Sequence, residues 1–219
     1  GIEAEVEKRI EVGCFHIRYK RKEAEREEDY ILLLPDGVKP ITGGWKEELI
    51  SCCMQERVGI VGGKTIGTNG KVLQNGYICG KGGEVRTLFA GLPEKYKGYC
   101  RRAVLAQEVG AVSFAFAVIK KEAFDRVGGV DVTLPHPYLE MDFCRRLRKA
   151  GYAVVQASGV EAVVEKEPDY RSICGKVGSD VLPLTEAKKK LAKDVEESGS
   201  SYDPCYNPNF AESGKTFTL

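Results

Sequence analysis

Residues 134–156 leave the chain few ways to fold. They read Leu134-Pro-His-Pro-Tyr-Leu-Glu-Met-Asp-Phe-Cys-Arg-Arg-Leu-Arg-Lys-Ala-Gly-Tyr152, followed by Ala153-Val-Val-Gln156. A proline-rich loop opens an amphipathic run, the run stops at Gly151, and a β-branched segment starts at once. Glycine is the usual residue past a helix end, because it enters the left-handed region at no steric cost. The pattern predicts a helix over 140–150 and a strand over 152–156. A helix joined so tightly to a strand must pack back on the sheet, so this unit implies a layered α/β protein. Two carboxylates, Glu140 and Asp142, open the helix. Acids there are favoured by the helix dipole and can cap its free N–H groups. An acid not spent on capping can face a cleft as a general base.

The rest of the chain supports an α/β sandwich with a mostly parallel central sheet. Tyr30-Ile-Leu-Leu-Leu34, stopped by Pro35, reads as a buried parallel strand. Residues 42–54 read as a helix with Trp45, Leu49 and Ile50 on one face, and 58–61 as the next strand. Nine glycines fall in 62–91, which reads as turns and hairpins; Gly80-Lys-Gly-Gly83 there is a hairpin turn lacking the spacing of a phosphate-binding loop. Residues 92–108 form a loop that mixes bases with aromatics. A strand is expected over 109–119, a short helix over 121–127 stopped by Gly128-Gly129, a strand over 160–164 and a charged helix over 185–197. Residues 1–29 are rich in Glu, Lys and Arg. Ile2, Val6 and Ile10 stand at helical spacing, 12–19 reads as a strand, and 20–29 as a charged helix. The expected divisions are a charged segment (1–29), a core (30–182), and a C-terminal helix with an Asn-Pro-rich tail (183–219).

Charge and cysteine content exclude several classes. A net charge of +1 in 219 residues gives no electrostatic case for nucleic acid or an anionic membrane. No apolar run is long enough to span a bilayer, and no leader pattern opens the chain. The eight cysteines contain no Cys-x-x-Cys pair and the histidines are only His16 and His136, which argues against structural zinc. Scattered cysteines fit a reducing cytoplasm.

Several motifs, in order, resemble family 2 glycosyltransferases, inverting enzymes of the GT-A fold. These are Val58-Gly-Ile-Val-Gly-Gly63, Gly70-Lys-Val-Leu-Gln-Asn-Gly76, Ala111-Val-Ser-Phe114 with the downstream Phe-Asp-Arg-Val-Gly-Gly-Val-Asp131, the 134–152 stretch, and Asp203-Pro-Cys-Tyr-Asn-Pro-Asn209. The resemblance covers roughly residues 28–210. It implies a GT-A-like fold, with a nucleotide sugar and a glycan acceptor as substrates. It also implies a divalent cation, Mn or Mg, that neutralises the leaving diphosphate. Glu140 would be the catalytic base, and Asp142, Gln74 and Phe114 would line the substrate site.

The chain departs from that pattern at defined places. The metal motif reads Pro35-Asp36-Gly37-Val38, so only Asp36 is acidic and Gly37 stands where the principal ligand belongs. A lone carboxylate is a poor site for a hard divalent ion, and Pro35-Asp36-Gly37 also reads as a plain turn. Phe114 replaces a glycine; its ring either fills the sugar pocket or turns into the core. The family's further N-terminal β-α-β portion is not accommodated by residues 1–27, so either the sequence is a piece of a longer enzyme or the fold is N-terminally shortened. That would leave a strand edge needing cover, and so predicts self-association or a partner glycosyltransferase chain. Two functions follow: an inverting glycosyltransferase, or a catalytically inactive relative serving as a binding or assembly module.

Overall fold

The computed structural model describes residues 4–11, 14–20, 27–80, 82–168, 181–197 and 203–206. Its elements are β1 (Ala4–Glu11), β2 (Cys14–Lys20), β3 (Glu27–Leu33), β4 (Val38–Pro40), α1 (Trp45–Cys53), β5 (Val58–Gly67), β6 (Val72–Gln74), β7 (Tyr77–Cys79), β8 (Val85–Thr87), β9 (Ala106–Glu108), β10 (Ala117–Lys120), α2 (Lys121–Arg126), α3 (Tyr138–Lys149), β11 (Ala153–Val164) and α4 (Leu184–Glu197). A 3₁₀ turn covers Tyr99–Arg101. Of the Asn-Pro-rich tail, residues 198–202 and 207–219 lie outside the described residues.

One mixed sheet runs in the order β1-β2-β3-β10-β5-β11-β4, with β6 added to β5 and β9 to β11. β5 is buried almost throughout, as a central strand covered on both faces must be. Helix α1 covers one face, where Leu49, Ile50 and Cys53 meet Phe116, Val118 and Ala162. On the other face Phe143, Cys144, Leu147 and Leu191, from α3 and α4, close over Ile31, Ile60 and Ala117. Each large apolar side chain buried this way stabilises the fold by roughly 1.5–3 kcal/mol.

The mixed α/β layering agrees with the sequence pattern, but the mostly parallel sheet does not. Among the described strands only β5 and β11 pair in parallel. β10 lies antiparallel to both β3 and β5. The cause is the path of residues 109–116, expected as strand. They leave the sheet and cross its end, so β10 enters beside the C-terminal end of β3, with Ala117 opposite Leu33, and runs backward. β3, β5 and β11 therefore point the same way although β10 separates two of them.

The N-terminal expectations change as well. Helical spacing through Val6 and Ile10 is overridden by strand pairing over 4–11: β1 and β2 pair antiparallel, and β2 pairs with β3. Strand β3 begins at Glu27, so 27–29 are sheet and not helix. Residues 21–26 of the expected helix are outside the described set. The edge of β3 is thus covered from within the chain. The strands expected at 152–156 and 160–164 are one strand, β11, with a register shift between Ala157 and Glu161. Its first half lies between β5 and β9 and its second between β5 and β4.

Helix α3 starts two residues before the sequence pattern suggested, after Pro137. It ends where expected. Gly151 has φ +92°, and the N–H groups of Gly151 and Tyr152 donate to the carbonyls of Arg148 and Leu147, a Schellman closure. Gly80–Gly83 is the turn between β7 and β8: Gly80 N–H donates to Glu84 O at 2.8 Å.

Candidate functional site

The carboxyl ends of β3, β5 and β11 lie on one side of the sheet. In open α/β sheets this is where ligands bind, because loops there converge from several strands. The turn at 34–37 leaves the end of β3, and residues 113–116 cross beside it. The loop before α3 and the helix's first turn close on that crossing segment.

Glu140 is the centre of this closure. It lies in the first turn of α3 and is 0 % exposed. No side chain caps α3, so the capping role expected of an acid here is not the one Glu140 performs. Its Oε1 instead accepts the Phe114 N–H at 2.6 Å and the Ser113 hydroxyl at 3.2 Å. Ser113 Oγ in turn accepts the Ala115 N–H at 3.2 Å. Burying a carboxylate is costly unless it is hydrogen-bonded, and the 113–115 segment supplies those bonds. Oε2 lies 3.1 Å from His136 Nδ1, one helical turn back. Both atoms are closed to solvent. The His136 side chain as a whole remains 31 % exposed.

The loop carrying His136 is held at several points. Tyr138 N–H and Leu139 N–H both donate to Pro135 O, and Leu134 N–H to Asp131 O. The His136–Pro137 peptide is cis. Asp131 accepts from Thr133 N–H and Thr133 Oγ1, and pairs with Lys190 of α4 at 3.1 Å. Burial works to raise the Asp131 carboxyl, but the Thr133 and Lys190 hydrogen bonds outweigh it and hold it below the ordinary carboxylate value.

The other residues singled out by sequence are placed differently. Asp142 faces away from Glu140 and pairs with Arg146 Nε at 2.8 Å, while Arg146 Nη1 also donates to Val127 O and Gly129 O. The Phe114 ring is fully buried, edge-on to Phe143 at 5.6 Å, and its backbone N–H meets Glu140. Gln74 ends β6 opposite Thr65, with a buried Oε1 that no donor among the described residues reaches. Asp36 is exposed on the turn, where Val38 N–H donates to Pro35 O. Gly37 has φ +89°, and a Cβ there would stand 2.9 Å from Lys166 Cβ. Of the predicted residues, Glu140 and Phe114 are the pair brought into direct contact.

The donors present do not fit the divalent cation that the resemblance implies. A hard ion needs several oxygens, and among the described residues no group of three His, Cys, Asp or Glu converges. At Gly37 both backbone geometry and the neighbouring Lys166 exclude the missing ligand.

Sequence reasoning passed over Ser113 and His136. His136 carried one usable signal: it is one of two histidines in the chain, and it stands four residues before Glu140. Spacing of four puts side chains on one helical face, but the stretch before α3 was read only as loop. Cys144 and Cys79 sit in the core, and burial pushes their thiols up to about 12.

No family model matches the chain. It is 29 % identical over 203 residues to an uncharacterized protein, y4gI, of Sinorhizobium fredii (strain NBRC 101917 / NGR234), covering 90 % of this chain and 21 % of that protein. It is 23 % identical over 182 residues to the O-antigen biosynthesis protein RfbC of Myxococcus xanthus, covering 83 % of this chain and 14 % of that protein. The chain thus spans about a fifth or less of the length of either relative. No described helix is long and apolar enough to cross a membrane.

Proposed function

We propose that this chain acts in carbohydrate assembly, as the acceptor-side part of an inverting glycosyltransferase. The observation that carries the proposal is the Glu140 carboxylate. It sits at the position the family resemblance gives the acceptor-side acid, and it is fixed on the segment crossing the carboxyl ends of the parallel-running strands. The distant likeness to an O-antigen biosynthesis protein supports the same class of substrate. A nucleotide sugar would be the donor and a glycan hydroxyl the acceptor. Glu140 is the essential carboxylate, and the rigid 113–115 backbone sets its direction. No step is assigned to a metal, because the residues at 35–38 do not fit one.

Isothermal titration with UDP, GDP and dTDP and their sugars, with and without Mn, tests donor recognition; transfer to an oligosaccharide tests the reaction. Glu140→Gln is expected to abolish transfer while the protein stays folded. Unchanged turnover would remove Glu140 from the reaction.

A second reading is a catalytically inactive module that binds glycan or assembles with another glycosyltransferase chain. The specific observation in its favour is that two family positions are closed: Gly37 by Lys166, and the space beside Phe114 by the aromatic core. It predicts a folded protein with glycan affinity and no affinity for any nucleotide in the panel.

A further inference from the structure

The loop between β8 and β9 concentrates exposed apolar and cationic side chains that the chemistry above does not use. Among the described residues six large apolar side chains are exposed. Three of them, Tyr96 (47 %), Tyr99 (54 %) and Leu105 (53 %), fall within residues 96–105. Lys95, Lys97 and Arg101 are exposed beside them. Residues 91–106 carry four cations and one half-buried acid, Glu94, so a chain of net charge +1 stands locally at +3. Exposed charges farther apart than a Debye length, about 8 Å at physiological salt, barely feel each other, so more distant acids do not cancel this patch.

The loop is pinned from within. Ala103 is its buried anchor: the Ala103 N–H donates to Lys97 O at 3.0 Å, and Asn75 Nδ2 donates to Ala103 O at 3.3 Å. Glu94 N–H donates to Gly70 O at 3.0 Å, and Arg102 turns inward, its Nη2 donating to Cys205 O at 3.5 Å. Between these anchors Cys100 and Arg101 both stand at positive φ, 49° and 61°. Side chains rarely adopt that backbone, and such strain gathers at ligand clamps and other functional segments.

We propose that this loop docks the protein on an anionic lipid bilayer. Its three kinds of side chain match the layers of such a surface. Lys95, Lys97 and Arg101 suit the phosphates and the negative field of the headgroups. Tyrosine is enriched at headgroup level, where its ring lies against apolar matter and its hydroxyl stays wet. Leu105 suits the acyl boundary, where the stems of lysine and arginine can also lie while their charged ends remain in water. A single-stranded nucleic acid would use the cations and the rings but leave Leu105 in water. The inference goes beyond the glycosyltransferase reading and does not depend on it. β9 runs antiparallel to β11, with Ala106 opposite Ala157. The loop thus enters the sheet from the carboxyl-end side of β11, the side that holds Glu140, and docking turns that side toward the bilayer.

Two measurements on the full 219-residue chain test this. The first is co-sedimentation with vesicles of phosphatidylcholine, alone or mixed with an equal part of phosphatidylglycerol. The wild type is expected to bind the mixed vesicles, to leave them as salt is raised, and not to bind phosphatidylcholine alone. Each Lys or Arg near an anionic leaflet strengthens binding about fivefold, so changing Lys95, Lys97 and Arg101 together to Gln should weaken it about a hundredfold. Changing Lys149, Lys189 and Lys193 to Gln removes the same charge from other exposed positions and should leave most of the binding in place. Equal losses from the two triple variants would assign binding to net charge and overturn the loop's role, as would a wild type that binds neither vesicle. Binding of oligo-dT in place of the mixed vesicles would also overturn the proposal and give the patch to nucleic acid. The second measurement reads the loop itself. Cys100 is exposed within it. A charged maleimide should label Cys100 in the free protein and be excluded once mixed vesicles are added; equal labelling of vesicle-bound protein would overturn docking through this loop. Neither readout involves sugar transfer, so failure here leaves the glycosyltransferase reading standing.

Discussion

At the scale of single residues, most of the function-bearing geometry reduces to what happens to a buried donor or acceptor. Glu140 satisfies the Phe114 N–H and the Ser113 hydroxyl, so truncation orphans both. Glu140→Ala is expected to cost roughly 3 kcal/mol or more, since each buried unsatisfied group costs about 1–3 kcal/mol and a cavity adds to it. Glu140→Gln keeps an accepting oxygen and should cost well under half of that. Thermal or urea unfolding of the two variants separates them, and equal losses would show that Oε1 is not holding the segment. Gly37 gives the opposite lesson. Placing an acid there with Gly37→Asp sets a Cβ against Lys166 in a backbone conformation that disfavours side chains. It is expected to lower stability by about 1–3 kcal/mol, the cost of a strained backbone site, and to leave Mn binding undetectable by calorimetry. The thiols offer a further check at this scale. Cys144 and Cys79 are buried with their thiols pushed up to about 12, whereas Cys100 is exposed. Thiolate is the reactive form, so alkylation at pH 8 followed by mass spectrometry should mark Cys100 long before either.

At the scale of elements, α3 is placed by both of its ends. Gly151 closes its C-terminus, and Arg146 pins its middle to the turn that ends α2 through Val127 O and Gly129 O. The Arg146→Ala change removes both of those bonds and the Asp142 pair, and should destabilise by about 2–3 kcal/mol, on the scale of hydrogen bonds to a charged group. The loop between α2 and α3 carries a pH dependence of known sign. Asp131 is held below its ordinary value in the fold, so its contribution is complete above that ordinary value. It is lost as pH falls through the lowered one. Melting temperatures between pH 6 and pH 3 should therefore fall less steeply in Asp131→Asn than in the wild type; identical slopes would show that the Thr133 and Lys190 contacts do not matter. How much of this unit was legible is clear from its parts. Helix, stop and strand followed from periodicity and one glycine. The strand expected over 109–119 did not form across its length, because alternation cannot reveal that Phe114 would donate to a carboxylate 26 residues away in sequence.

At the scale of the whole molecule, the N-terminal hairpin and the C-terminal segment complete the sheet and its back. β2 pairs along all of β3. Deleting residues 1–26 should expose that edge, and an unpaired edge templates association; light scattering should then show oligomers absent from the intact chain. At the other end Asp203 is buried against β7, accepting from Cys79 N–H at 3.0 Å and Cys205 N–H at 2.9 Å. Burial raises its carboxyl above the ordinary value, against the pull of those bonds and of Arg148 and Arg145. The sign is opposite to that of Asp131: the cost of burying this charge is relieved as pH falls through the raised value. Hydrogen exchange at 203–206 should therefore slow on mild acidification.

The sequence by itself determined the layered α/β class, the turn at Gly37, the hairpin turn that opens at Gly80, the end of α3 at Gly151 and an acid in the first turn of α3. Each of these is written locally, in glycine's freedom at positive φ, in hydrophobic periodicity, or in a charge at a helix start. Only the tertiary structure decided that β10 would reverse the sheet, that residues 4–11 would be a strand and not helix, and that Glu140 would bind Phe114 and Ser113 and face His136. Those outcomes depend on hydrogen-bond partners from distant parts of the chain. A buried polar group takes whichever partner the packing brings to it, and no local pattern specifies that choice.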